Sequence, residues 1–214
     1  MTRIRLAALC LLTLTACSAG KEEKVLTYIQ DTDFKKGISV MHPDRGNVRL
    51  SGRLDPAGSA EETPIWLLTQ WQSKYDLAEA GGSKSGDGYV YENEGKLLSV
   101  VKEDRGEEVL TLKVKGGNEY DAPRTPDQSW VHLYMEQRYK EPMSIAGLSK
   151  WRLRFDVSIP QCENRMLPEE YNPDVHAAIA VFYLIVGDIN PASKGYGDFI
   201  NFCIPMFDNR HALP

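Results

Sequence analysis

Apolar and polar positions alternate with period two in two stretches of this chain. In Trp130–Arg138, Val131, Leu133 and Met135 share one face, while Trp130, His132, Tyr134, Glu136 and Arg138 share the other. In Trp151–Ile159, Trp151, Leu153, Phe155, Val157 and Ile159 alternate with Arg152, Arg154, Asp156 and Ser158. Successive side chains of a strand point to opposite faces, so both stretches predict half-buried strands. Further extended runs are Val25–Ile29, Val48–Leu54, Tyr89–Tyr91, Lys96–Val101, Val109–Lys115 and Asp198–Phe207, with Gly, Pro, Asn and Asp between them. Ala177–Val186 is apolar on both faces and predicts a central strand covered on both sides. Ile65–Trp71 reads as a strand from its aromatic content, although Thr63-Pro64 would also suit the start of a helix. Ala78–Asp87 reads as a flexible surface loop. The sum is an all-β chain, an antiparallel β-sandwich or a barrel, in one domain over residues 25–214.

The amino terminus follows a different pattern. Arg3 and Arg5 precede an apolar run of 11 residues, Leu6 to Ala16. A bilayer span needs about 20, so the run reads as a signal to be removed. It ends in Leu14-Thr15-Ala16-Cys17, which resembles the lipobox of bacterial lipoproteins. That resemblance implies cleavage of residues 1–16, a diacylglycerol thioether on Cys17 with acylation of its new amino group, and a tether over residues 17–24. Ser18, rather than Asp, after the cysteine resembles the sorting signal for the outer membrane.

Charge narrows the partners. The formal net charge is −5, and no basic block is present, which argues against nucleic acid. The membrane is therefore a partner through the lipid on Cys17 rather than through charge. With Cys10 lost in the signal, Cys162 and Cys203 are left. In an oxidising compartment they could bridge, at a chain-entropy gain of roughly 3–4 kcal/mol, or stand as two separate thiols. No histidine or cysteine spacing suits a metal, and Lys35-Lys36 spoil the calcium-loop start Asp31-Thr32-Asp33. No cofactor is expected, with a structural calcium on scattered loop carboxylates as the alternative. Gly81-Gly82-Ser83-Lys84-Ser85 lacks the glycine that a phosphate loop places before its lysine.

The candidate chemistry sits on the two alternating stretches. If they form a hairpin, His132, Tyr134 and Glu136 face the same side as Arg152, Arg154 and Asp156. With Trp130 they would line a hollow able to bind a glycan, aromatic faces covering sugar C–H patches and charged groups bonding hydroxyls. A solvated sheet face is the plainer reading of the same row. Together the runs resemble the jelly-roll or concanavalin-like lipoproteins of glycan-using bacteria, which implies carbohydrate binding. Jelly-roll polysaccharide lyases place Arg, Gln or His, and Tyr on neighbouring concave strands. Arg152, Arg154, His132 and Tyr134 are of those types, so the resemblance implies a lyase as one alternative. Glu136 with Asp156, about 5–9 Å apart, would serve a glycosidase. A non-catalytic adaptor held by its acyl chains is the third class. Asp208 and Arg210 follow the last apolar run as a rim site or a salt bridge, and the domain is suspected to continue past Pro214.

Overall fold

The computed structural model describes residues 28–56, 58, 62–103, 106–137, 145, 150 and 152–211. Cys17, the signal, the tether and Trp151 lie outside the described residues. Strand far outweighs helix among the described residues, and the all-β reading holds. Ten strands are present: β1 (Ile38–Met41), β2 (Leu50–Leu54), β3 (Trp66–Thr69), β4 (Gly82–Ser85), β5 (Gly88–Glu92), β6 (Lys96–Lys102), β7 (Glu108–Val114), β8 (Tyr134–Gln137), β9 (Ile179–Gly187) and β10 (Phe199–Asp208). Helix is reduced to the single turns α1 (Gly116–Glu119) and α2 (Pro173–His176), with a 3₁₀ turn at Leu77–Glu79.

Contacts divide the chain into two compact units. The larger contains residues 28–122 and 127–158 and carries two four-stranded sheets. The first has the order β2-β1-β3-β8, and β1 runs antiparallel to β2 but parallel to β3, so the sheet is mixed. The second, β4-β5-β6-β7, is a run of consecutive antiparallel hairpins. Register explains which side chains are inside. Val40 stands beside Leu68, and Leu68 opposite Met135. On the second sheet Leu98 lies between Tyr91 and Leu112, and Val100 between Tyr89 and Leu110. Ile38, Val40, Leu54 and Leu68 of the first sheet and Tyr91, Leu98 and Val100 of the second join one buried cluster, closed by Phe34 and Leu77.

Several sequence expectations need correction. Among the described residues of Trp130–Arg138, which leave out Arg138, only Tyr134–Gln137 is strand, and its partner is β3, not the stretch that follows. Residues 152–159 form no strand. Arg152 and Arg154 are exposed and Leu153 and Phe155 half-buried, but Asp156 and Ser158 are half-buried too and Ile159 is exposed, so the alternation is lost after Phe155. Period two assigns faces, but a strand also needs a free backbone edge to pair with. Residues 78–87 are not a loop: they hold most of the 3₁₀ turn and β4, the edge strand of its sheet. Tyr28 and Ile29 carry no strand, and β1 was not anticipated.

The smaller unit comprises residues 123–126 and 159–211 of the described chain. It holds the ribbon β9–β10, so among the described residues β9 has one partner, where a central strand has two. The ribbon turns through Gly197 at φ 90°, where its amide donates to Asp188 O at 2.8 Å. At its end Arg210 Nη2 pairs with Asp208 Oδ2 at 2.5 Å, and bonds from Arg210 hold the Asp208 carboxyl down at about 2. That is the salt-bridge reading of the pair. The disulfide is not formed. Cys203 sits on β10 opposite Tyr183, Cys162 lies in an irregular stretch, and both are free, exposed thiols.

Leu68 is wholly buried at the centre of the larger unit's core. Leu68→Ala should lower unfolding free energy by about 2–5 kcal/mol, read from urea titration of circular dichroism, through lost burial and the cavity left behind.

Candidate functional site

β6 places Lys96, Leu98 and Val100 on one face, and that face is the core. The same alternation that buries the two apolar residues buries the lysine, whose exposure is 0%. An ammonium group carries three donors and no acceptor, so burial demands three acceptors. They come from the segment after β3. Lys96 Nζ donates to Ser73 Oγ in a short contact, to Tyr75 O at 2.5 Å and to Gln70 Oε1 at 3.2 Å.

The acceptors are themselves fixed. Gln70 donates from Nε2 to Met41 O at 3.0 Å and to Asp76 Oδ1 at 2.6 Å. Asp76 Oδ1 also receives Ser51 Oγ at 3.1 Å and caps the 3₁₀ turn through the Ala78 amide at 2.9 Å. Ser73 Oγ donates to Glu119 Oε1 at 2.7 Å, and the Lys74 amide donates to Glu119 Oε2 at 2.8 Å. Glu119, on α1, is itself only 3% exposed. Gly95 makes room for it: a Cβ there would stand 2.3 Å from Glu119 Oε1. Burial pushes the Lys96 ammonium down to about 8, against the raising influence of Glu119 and Asp76.

This network holds the wall of a hollow of about 420 Å³. Its lining is Gln72, Ser73, Lys74, Asp76 and Glu79 from the segment after β3, and His42, Pro43 and Asp44 from the turn after β1. The two walls are tied by the Gln72 amide, which donates to Pro43 O at 2.8 Å while Gln72 adopts φ 63°. A non-glycine residue in that region is strained and persists only where its surroundings fix it. His42 Nδ1 accepts from the Asp44 amide at 3.2 Å, which leaves Nε2 to carry the ring proton of the neutral form.

Each wall runs directly into an aromatic group, at Trp71–Gln72 and at Asp44–Arg45. The Arg45 guanidinium lies over the Trp71 ring at 5.2 Å, and Tyr134 meets that ring edge-on at 5.9 Å. His132 donates its amide to Trp71 O at 3.0 Å. Desolvation of its ring and the nearby Arg45 charge hold His132 below the ordinary histidine value, so its imidazole is neutral at pH 7. Trp71 Nε1 is buried and has no hydrogen-bond partner among the described residues.

The structure therefore brings together two of the anticipated residues, His132 and Tyr134, at Trp71. Glu136 follows Tyr134 on β8, opposite Leu67. Trp130 is half-buried just before β8. Arg152, Arg154 and Asp156 are on no strand, so the paired rows that the lyase and glycosidase readings need are not formed. Asp31 and Asp33 do loop work: the Lys36 amide donates to both Asp31 oxygens at 3.2 Å, and Asp33 pairs with Lys35. Among the described residues no cluster of three or more His, Cys, Asp or Glu could hold a metal, and no helix is long and apolar enough to cross a membrane.

No protein-family model, curated protein or solved structure matches the chain.

Sequence reasoning missed Lys96, Gln70, Ser73 and Glu119. The parity of Lys96 with Leu98 and Val100 was the available signal. The network also makes stability depend on pH. An unfolded lysine keeps its proton up to 10.5, whereas the folded one releases it at about 8. Between those values unfolding takes up a proton, so the Lys96 contribution to stability rises with pH. Lys96→Met should be less stable than the natural chain by about 3–5 kcal/mol at pH 7, because it strands Glu119 and the other acceptors. That gap should widen from pH 8 to pH 10 in urea titrations, and a gap independent of pH would assign the proton elsewhere.

Proposed function

We propose that this chain is a lipid-anchored protein of the bacterial envelope that binds a saccharide in the hollow bounded by His42–Asp44 and Gln72–Glu79. One observation carries the reading: a polar hollow of about 420 Å³ whose lining residues Asp44 and Gln72 are the chain neighbours of Arg45 and Trp71, which stack on each other beside Tyr134. Sugars present hydroxyls on their edges and C–H patches on their faces. Asp44 and Glu79 accept from hydroxyls, Gln72 and Lys74 donate to them, and the aromatic pair offers an apolar surface. Arg45 is exposed and can leave the half-buried Trp71 ring for a carboxylate or sulfate on the sugar, since a solvated cation over a ring gains only about 0.5–1 kcal/mol. The anchor rests on Leu14-Thr15-Ala16-Cys17 and the short apolar run before it.

Affinity electrophoresis through gels of neutral and uronate polysaccharides tests the binding. At least one polysaccharide should retard the natural chain. Trp71→Ala should weaken retardation by about five- to tenfold, in line with loss of an aromatic platform of about 1–1.5 kcal/mol. Arg154→Ala, outside the hollow, should leave it unchanged. No retardation in any gel, or equal retardation of all three proteins, would refute the proposal.

The anchor has its own check. The natural chain, expressed in a Gram-negative host, should partition into the detergent phase of a cloud-point extraction, and Cys17→Ala should move it to the aqueous phase. Two or three acyl chains at about 0.8 kcal/mol per buried CH₂ account for that difference.

A further inference from the structure

Ser73 does more than line the hollow. Its Oγ touches the nitrogen of a wholly buried lysine, and a third group holds each partner in place. Gln70 Oε1 and Tyr75 O orient Lys96 Nζ, and Glu119 Oε1 lies 2.7 Å from Ser73 Oγ. A nucleophile within reach of an oriented base, at the wall of a cavity, is the arrangement that acyl transfer needs.

We propose that Ser73 and Lys96 form a nucleophile and base pair that hydrolyses carboxylic esters of small acyl groups. This goes beyond saccharide binding and does not depend on it. The step balances without any co-reactant but water. Neutral Lys96 Nζ takes the Ser73 hydroxyl proton as Oγ bonds to the acyl carbon and the carbonyl electrons move to oxygen. Collapse of the tetrahedral adduct breaks the ester C–O bond, and the Lys96 ammonium returns the proton to the departing alkoxide. Water then attacks the acyl-serine, giving its proton to Lys96, and Ser73 leaves with that proton restored. The products are a carboxylic acid and an alcohol. His42 and Lys74 line the same hollow; the Nε2–H of His42 and the Lys74 ammonium, which also pairs with Asp121 at 2.5 Å, are the donors available to an oxyanion there.

The proton-accepting form of Lys96 is set by everything packed on it: Gln70, Ser73 and the Tyr75 carbonyl by contact, and the charges of Asp76 and Glu119. Desolvation dominates and brings the amine down to about 8, which places its neutral form within reach near neutrality. Glu119 is a positioning residue.

The full chain should be exposed to an alkyl fluorophosphonate, with peptide mass spectrometry to locate any adduct and p-nitrophenyl acetate to read turnover. One adduct is expected, on Ser73. Labelling should quicken about tenfold per pH unit below pH 8 and level off above it. Ser73→Ala should keep the natural circular dichroism and lose both the adduct and turnover. Lys96→Arg keeps the positive charge but cannot accept a proton, and should label at least about 100-fold more slowly. If Lys96→Arg fails to fold, the pH profile of the natural chain still decides the role of the lysine. A folded natural chain without a Ser73 adduct, an adduct elsewhere that survives Ser73→Ala, or a flat pH profile would overturn the pair. Saccharide retardation of the natural chain, read independently of its labelling, separates failure of this proposal from failure of the binding proposal.

Discussion

A lysine ammonium taken out of water constrains the larger unit more than any other group in it. Removing such a charge from solvent costs several kcal/mol even after relaxation, so the chain has to supply its acceptors from within. It does so by folding the segment after β3 back onto the end of β6. Gln70, Ser73 and Tyr75 then meet Lys96, and Glu119 closes the far side from α1. Nothing apolar holds this segment as firmly. Leu77 is the one residue of residues 70–79 in the buried apolar cluster, and its amide is in turn held by Gln70 Oε1 at 2.9 Å.

The hollow is a by-product of that closure. With Gln70 and Asp76 tied to Met41 and Ser51, the segment between them has to bulge outward. The strained φ at Gln72 is the visible cost, and the Pro43 carbonyl that receives its amide sets the width of the mouth. Ser73 is drawn inward by Lys96, while Gln72 and Lys74 on either side of it border the cavity. A wall built in this way is ordered before any ligand arrives. Binding there need not spend free energy on ordering the protein.

How far the sequence exposed this depends on the kind of information each part needs. β content was legible because period two and turn residues are local signals, and β5, β6, β7 and β10 fall close to the runs that alternate or extend. β1 was not, because four residues between turns, Ile38–Met41, carry too little periodicity. Pairing was not legible either. The alternation of residues 151–159 is as clean as any in the chain, yet β8 gives its edge to β3, and nothing in a single strand names its partner. His132 and Tyr134 were found because one face of one segment puts them together. Arg152 and Arg154 failed because their place in the site needed two segments to meet. Lys96 was passed over for a different reason. A lysine is read as solvent-facing by type, and here the parity of the strand overrode the type.

Hydrogen bonding and desolvation pull that lysine in opposite directions, and the conflict can be weighed. Only the ammonium fills all three acceptors beside Glu119, yet burial shifts the folded chain toward the neutral amine. As a base it must be neutral. With a value of about 8, roughly a tenth of the molecules hold it neutral at pH 7, and in that state two of its three bonds, to Gln70 and Tyr75, keep their direction as donors. The bond to Ser73 reverses: its one hydroxyl proton turns from Glu119 Oε1 to Lys96 Nζ, while the Lys74 amide still holds Glu119 through Oε2. Deprotonation therefore gives up one bond of the network, and a tenfold deficit of the reactive form is small beside the factor of about 10²–10⁴ that a positioned base contributes. A lysine more exposed than this one would stay charged, and one without Glu119 and Asp76 nearby would fall further and give up the charge that fastens the wall. The depth at which β6 buries it sits between those failures.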